Sequence, residues 1–385
     1  MTPSARLSAA IAVLDRWLGG TPAEQALTNW GRASRYAGSG DRHAVRDLVF
    51  DAIRCRRSFA HLGGGETGRG LILGGLRAAG QDPAALFTGE GHSPAPLGSV
   101  ETARPDAPQD LVALDCPDWI APLLQSSLGS DFAPIMQALR HRAPVFLRVN
   151  TARLTREDAV ARLAAEGVAA SPHPLAPTAL QVTDGARKIA ATTAYATGLV
   201  EVQDAASQAV VAALPLAPGL RVLDLCAGGG GKALAMAAAG ARVTAHDASP
   251  ARMRDLPARA SRAGQPISTT LRPEATAPWD LVLADAPCSG SGAWRRAPEG
   301  KWALTPARLR ELCAMQAAIL DRSAGLVRPG GWLGYATCSM LEAENDDQAA
   351  AFLSRHPVFG QAWRLRLTPL DGGDGFFLAL FTRSE

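Results

Sequence analysis

Leu7, Ala10, Ile11, Leu14 and Leu18 recur three and four residues apart, which lines one face of a helix and predicts an amphipathic helix over 5–18. The same patterning returns near 22–32 and 41–60. Glycine and proline then end it, because neither sustains regular elements: "LGGGETGRG" (62–70) breaks the pattern, and "GEGHSPAPLGS" with "ARPDAPQD" reads as loop and linker. Residues 1–112 are therefore expected to form a helical domain.

Beyond that boundary the period changes. "PDWIAPLLQSSLG" predicts a helix with Asp118 at its cap, followed by "FAPIMQALRHRAP". "VFLRVN" alternates as a strand does, "TREDAVARLAAEGV" predicts a capped helix stopping at Gly167, and "ALQVTD" predicts another strand. These give a small α+β module over 113–198. From 199 to 385 short apolar runs alternate with helical stretches: "RVLDLC", "GKALAMAAAG", "ARVTAHD", "SPARMRDLPARASRAG", "DLVLADAPC", "RLRELCAMQAAILDRSAGLV" and "GGWLGYATCS". That alternation specifies an α/β fold with a doubly wound parallel sheet.

The length of 385 residues suits two or three domains. Six cysteines, at 55, 116, 226, 288, 313 and 338, form no C-x-x-C pair and no cluster with histidine at zinc spacing. A disulfide scaffold and structural zinc are set aside, and a reducing compartment is favoured. Asp15 and Arg16 interrupt the first apolar run too early for a signal peptide, and no stretch approaches the about 18 apolar residues of a membrane span. A cytoplasmic monomer without membrane or metal partner is expected. The net charge of +3 decides little. Arg54, Arg56 and Arg57, Arg140 and Arg142, and Arg295 and Arg296 form local clusters that suit phosphates, the alternative for each being a solvated face.

The first candidate chemistry is "DLCAGGGGK" (224–232), a glycine-rich turn leading from a strand into a helix whose free N–H groups face a ligand. A phosphate-binding P-loop is excluded because Lys232 is followed by Ala233 rather than Ser or Thr. Asp224, Gly228 and Gly230 fit the pattern D-x-G-x-G-x-G of S-adenosylmethionine-dependent methyltransferases, with Cys226 replacing the first glycine. Ala227, Gly229, Gly231 and Lys232 complete the predicted cofactor turn, and Asp247, closing the next strand, suits ribose hydroxyls.

The second is a pair of cysteines at strand ends, in "DAPCSGSGAWRR" (285–296) and "YATCS" (335–339). Open α/β sheets bind ligands beyond the carboxyl ends of their strands, and sequential strands are usually neighbours, so Cys288 and Cys338 are expected to converge. Pro287 fixes the chain before Cys288, and the glycines and serines after it allow close approach to backbone. Cys55, Cys116 and Cys313 read as small buried hydrophobes.

"DLCAGGGGK", "DAPCSGSGAWRRAPEGKW" and "YATCSMLEAEN" resemble the motifs of the RsmB/Sun family of RNA cytosine 5-methyltransferases, over about 199–385. "PVFLRVN" and "VEVQDAASQ" resemble that family's preceding module, and the N-terminal helices loosely resemble its NusB-like RNA-binding domain. The resemblance implies a Rossmann-like class I methyltransferase domain, S-adenosylmethionine as cofactor, and ribosomal RNA, or else transfer RNA, as partner. It implies that Cys338 attacks carbon 6 of cytosine, that Cys288 assists release, and that Asp285 contacts both base and cofactor. Lys232 is implied beside cofactor and base, and Pro287, Arg295 and Arg296 beside the RNA. Trp294 or Trp302 either stacks on a nucleotide or packs its own loop.

Two departures stand out. Ala233 occupies the family's hydroxyl position, and "ISTTLRPEATAPWD" lacks the acid the family sets against adenine, for which Glu274 is the substitute at hand. Two other readings are a non-catalytic RNA-binding ribosome-assembly factor and an amino-group methyltransferase. The first has no need of Cys288, Cys338 and Asp285 together; the second expects D/N-P-P-Y/F where this chain has "DAPC".

Overall fold

The computed structural model describes residues 1–103 and 105–385; position 104, within the "ARPDAPQD" linker, lies outside the described residues. The chain forms two compact units, Met1–Arg142 with Trp294–Ala303, and Ala143–Ala293 with Leu304–Glu385.

The first unit is built on helices α1 (Pro3–Leu18), α2 (Ala23–Ala33), α3 (Ser39–Arg54), α4 (Arg56–Gly63) and α5 (Gly68–Ala78). Thr2 caps α1, its hydroxyl accepting from the Ala5 N–H at 3.2 Å, and Leu7, Ala10 and Leu14 of the predicted face are buried. The stretch 41–60 is two helices, because the backbone leaves helical geometry at Cys55 (φ −107°, ψ 32°). Helix α5 occupies glycine-rich sequence that reads as a break. A Cβ on Gly63 would lie 1.8 Å from the Gly70 carbonyl oxygen, and one on Gly74 1.9 Å from that of Phe59. These glycines let α4 and α5 touch backbone to backbone.

Arg54 and Arg57 of the basic clusters act as struts, while Arg142 and Arg296 lie on the solvated face. Arg54 is buried, donating to the Arg295 carbonyl at 2.8 Å and pairing with Asp51, while Arg57 pairs with Asp118 at 2.7 Å and Arg142 with Asp47 at 3.1 Å. Asp118 thus serves an arginine, and the helix Ala121–Leu128 starts without the side-chain cap expected of it. Asp115, fully buried, accepts from the Ser58 N–H (2.9 Å), the Ser58 hydroxyl (2.8 Å) and Arg140 Nε (2.8 Å). The segment Trp294–Ala303 packs into the same unit: Glu299 accepts from the Ala23 N–H at 2.9 Å, buried Lys301 donates to the Arg54 carbonyl at 2.9 Å, and Trp302 Nε1 donates to the Ile53 carbonyl at 2.6 Å. Trp294 is buried and Trp302 partly so, which favours packing over stacking for both.

The second unit holds two sheets. The small one is antiparallel in the order β2-β3-β1-β4, with β1 Val145–Val149, β2 Ala169–Pro172, β3 Ala179–Asp184 and β4 Val200–Val202. Thr155 caps the helix Arg156–Ala165, and Gly167 at φ +76° turns the chain after it, as its sequence predicts. β2 and β4, with four and three residues, are too short to show a period.

The large sheet comprises β5 Arg221–Asp224, β6 Arg242–Ala245, β7 Ile267–Thr269, β8 Trp279–Asp285, β9 Val327–Thr337, β10 Phe359–Leu367 and β11 Phe376–Arg383, in the order β10-β11-β9-β8-β5-β6-β7. β5 to β9 are parallel, which bears out the α/β fold; β11 runs antiparallel to both β9 and β10. The short link between β10 and β11 has no room for a crossover helix, so this last pair forms a hairpin. Val222, Leu223, Leu281, Val282 and Leu333 are buried, as parallel strands covered on both faces require. From β5 the chain winds outward to β6 and β7, then returns to β8 on the other side. This reversal sets the ligand crevice beyond the carboxyl ends of β5 and β8. Among the described residues no helix is long and apolar enough to cross a membrane.

Candidate active site

β5 ends in Asp224, and the chain turns through 225–230 into the helix Gly231–Ala238. Gly228 (φ +50°) and Gly230 (φ +80°) take left-handed backbone, and a Cβ on Gly230 would meet Leu256 at 2.1 Å, so both conformation and space call for glycine there. Asp247 lies against this turn: its carboxylate accepts from the N–H groups of Gly228 (3.0 Å) and Ser249 (2.9 Å) and pairs with Arg252 at 3.3 Å. The Ala227 N–H donates to the His246 carbonyl at 2.9 Å. Arg259 donates to the Gly229 carbonyl and, at 3.0 Å, to buried Glu201, which ties β4 to the turn. Sequence reasoning missed Glu201 because its strand is too short to recognise.

Asp224 is 1% exposed, and neither of its oxygens has a partner at ordinary hydrogen-bond geometry. Burial first, and then the neighbouring charge of Asp285, pushes its carboxyl up to about 7. An orphaned buried carboxylate beside a glycine turn fits a ligand rich in donors, as a nucleoside with an amino group is. Burial also pushes the Cys226 thiol up to about 12, which leaves it inert.

Lys232 is buried, its ammonium donating to Asp285 at 2.5 Å and lying 4.8 Å from the centre of the Phe376 ring. Burial opposes its charge, but the ion pair with Asp285 outweighs burial and holds the lysine above its ordinary value. Asp285 closes β8 in register with Ala336 of β9, so the loops leaving these two strands start side by side. Cys288 and Cys338 face each other with their sulfurs 3.4 Å apart. The hydrogen bond to Cys338, and then burial, raises the Cys288 thiol well above its ordinary value.

Beneath the thiols lies a polar cluster that the sequence did not single out. Glu344, fully buried, accepts from the Ser289 N–H (2.8 Å), the Ser339 hydroxyl (2.5 Å), Gln316 Nε2 (3.0 Å) and the Ser289 hydroxyl. Asn345 accepts from the Thr337 hydroxyl at 2.6 Å and donates to the Ser339 carbonyl at 2.9 Å. The available signal was an acid and an amide in "MLEAEN", six and seven residues beyond Cys338, where no periodicity demands polar groups.

Asp224, Lys232, Asp285, Cys288 and Cys338 are thus brought together. The Pro287 carbonyl, next to Cys288, accepts from Gln316 Nε2 at 2.9 Å. Arg295, buried, and Arg296, exposed, belong to the other unit. Glu274 sits on the turn Pro273–Thr276 and pairs with Arg322 at 2.7 Å; Arg322 in turn faces His246 Nε2 at 3.2 Å.

Residues 211–382 match the family profile described as 16S rRNA methyltransferase RsmB/F, and residues 116–187 match the RsmF/B-like ferredoxin-like domain. Ribosomal RNA small subunit methyltransferase B of Xanthomonas campestris pv. campestris is 35% identical over 292 residues, 70% of this chain and 67% of that protein. The protein of that description from Salmonella arizonae is 36% identical over 281 residues, 68% of this chain and 65% of its own. The matched region therefore spans about two thirds of these relatives. Among solved structures, PH0851 is similar in fold, with a TM-score of 0.80 at 23% identity over 99% of each chain.

Proposed function

Because the chain belongs to the 16S rRNA methyltransferase RsmB/F family, we propose that it methylates carbon 5 of a cytosine in ribosomal RNA, with S-adenosylmethionine as cofactor and Cys338 as nucleophile. The observation that carries the reading is the approach of Cys288 and Cys338 to 3.4 Å beside the Lys232–Asp285 pair. S-adenosylmethionine, when bound, supplies an electrophilic methyl group. Asp224 and the N–H groups of Gly229 and Gly231 hold it, and Asp247 receives a ribose hydroxyl on the lone pair left beyond Gly228, Ser249 and Arg252.

Carbon 5 of cytosine is a poor nucleophile. The Cys338 thiolate adds to carbon 6, and the ring electrons so displaced make carbon 5 an enamine terminus able to attack a methyl group. Asp285 hydrogen-bonds the base, and Lys232 beside it provides the proton the two groups share as negative charge builds on the ring. After methylation the carbon 5 proton leaves to a base, its bonding electrons re-form the ring double bond, and the bond from carbon 6 to sulfur breaks. Cys288 assists this elimination. The base must be unstacked to enter such a site, so the target is a single-stranded or flipped nucleotide.

The test is methylation of purified ribosomal RNA with methyl-labelled S-adenosylmethionine, followed by nucleoside analysis and bisulfite sequencing. Label is expected in 5-methylcytidine and in no other nucleoside. Label on an exocyclic nitrogen supports the amino-group reading, and RNA binding without label supports the assembly-factor reading; either outcome overturns this one.

A further inference from the structure

We propose that Glu344 is a positioning residue that clamps together the loops carrying Cys288 and Cys338 and so fixes the surroundings of each thiol. The inference takes its catalytic meaning from the two-cysteine reading above, but its geometry is independent of RNA. Ser289 and Ser339 each directly follow a cysteine, and both donate to the one carboxylate, which also takes the Ser289 N–H and the Gln316 amide. Each Glu344 oxygen therefore receives two donors, which fills the acceptor capacity of a carboxylate. The Tyr335 hydroxyl donates to the Glu344 carbonyl at 2.6 Å, fixing the same turn to β9.

A carboxylate this deeply buried is retained at a cost unless its hydrogen bonds do something a neutral side chain cannot. Among the described residues no cation pairs with Glu344; hydrogen-bond donors alone hold it between the loops that carry the thiols. The titratable groups facing Cys288 are Cys338 and Glu344, with Tyr335 behind; Lys232 lies on the Cys338 side. The clamp thus holds a different set of neighbours against each thiol. Glutamine at 344 keeps the shape but presents an NH2 to two donors, which opens the clamp and removes the charge together.

Full-length wild type, Glu344→Gln and Glu344→Asp are alkylated with iodoacetamide between about pH 6 and pH 9, where thiols titrate, and the label on each cysteine is counted by mass spectrometry. In Glu344→Gln the ratio of Cys288 to Cys338 labelling should change about tenfold, because reactivity follows the surroundings of each thiol and the clamp no longer fixes them. Methyl transfer should lose about 100-fold in kcat with KM for S-adenosylmethionine within about threefold, as misplacement of reacting groups without loss of binding predicts. Glu344→Asp, which keeps a carboxylate to accept these donors, should keep the wild-type labelling ratio. Should Glu344→Gln not fold, Ser289→Ala and Ser339→Ala each remove one clamp donor and should shift kcat in the same direction by about tenfold. A folded Glu344→Gln with the wild-type labelling ratio, or serine variants with wild-type kcat, overturns the proposal. A shifted ratio in a protein that places no methyl on cytosine sustains the clamp and rejects the reaction assigned to it.

Discussion

Asp115 in the helical unit and Asp224 in the large sheet are buried to the same degree, at 0% and 1% exposure, yet their surroundings differ in kind. Asp115 receives two donors from Ser58 and a third from Arg140, so its charge is met within the protein. Asp224 receives none at ordinary geometry, has another carboxylate for a neighbour, and is driven up to about 7. A buried charge that is satisfied within its own unit, as Asp115 is, can serve the scaffold alone. One that is left unsatisfied weakens the scaffold and marks a place where a ligand completes the bonding.

The largest effect that distinguishes the two is on stability. Asp115→Ala strands Arg140 and the Ser58 hydroxyl, and should destabilise the helical unit by about 3–5 kcal/mol in urea unfolding, as loss of one partner of a buried pair does. It should leave S-adenosylmethionine affinity alone; a normal unfolding midpoint would dissolve the contrast.

The second effect is pH dependence. The folded Asp224 carboxyl keeps its proton up to about pH 7, whereas the unfolded one releases it near its ordinary value of 3.8. Between those pH values the folded state binds more protons, so the ligand-free protein loses stability as pH rises through the interval. Asp224→Asn should remove that loss, and unfolding measured from pH 5 to about pH 8 checks it.

Third, ionised Asp224 is the better acceptor for cofactor donors. Calorimetry should therefore find S-adenosylmethionine binding that tightens up to about pH 7 and then levels, and Asp224→Asn should bind about 100-fold more weakly without that dependence. Equal affinity in the variant would return Asp224 to the scaffold. The smallest effect is at Glu274. Its carboxylate is already paired with Arg322 on an exposed turn, so Glu274→Ala should change cofactor affinity by less than about threefold.

Sequence reasoning reached the sheet and the convergence of its thiols because both rest on long-range regularities: apolar runs of strand length, and the rule that ligands gather at strand ends. It did less well where a residue has two physical uses. Gly63 and Gly70 read as breakers, yet their missing side chains, like that of Gly74, are what two packed helices require. Asp118 sits at a plausible cap position, but Arg57 offers it two bonds where a helix end offers one. Arg54 lies in a basic cluster and is buried in the helical unit, because carbonyl oxygens and Asp51 there need its donors. At the site, Asp224 and Lys232 were legible from the glycine turn between them. Glu344 and Asn345 were not, because their partners lie in Ser289, Gln316 and Thr337, and only folding brings these together.

The proposed division of labour is that Cys338 carries the RNA and Cys288 lets it go. It is tested most directly by incubating Cys288→Ala with S-adenosylmethionine and ribosomal RNA, digesting the product, and locating the attached nucleotide by mass spectrometry. A covalent protein–RNA complex joined through Cys338 is expected. A complex joined through any other residue, or full methylation by Cys338→Ala, would contradict it.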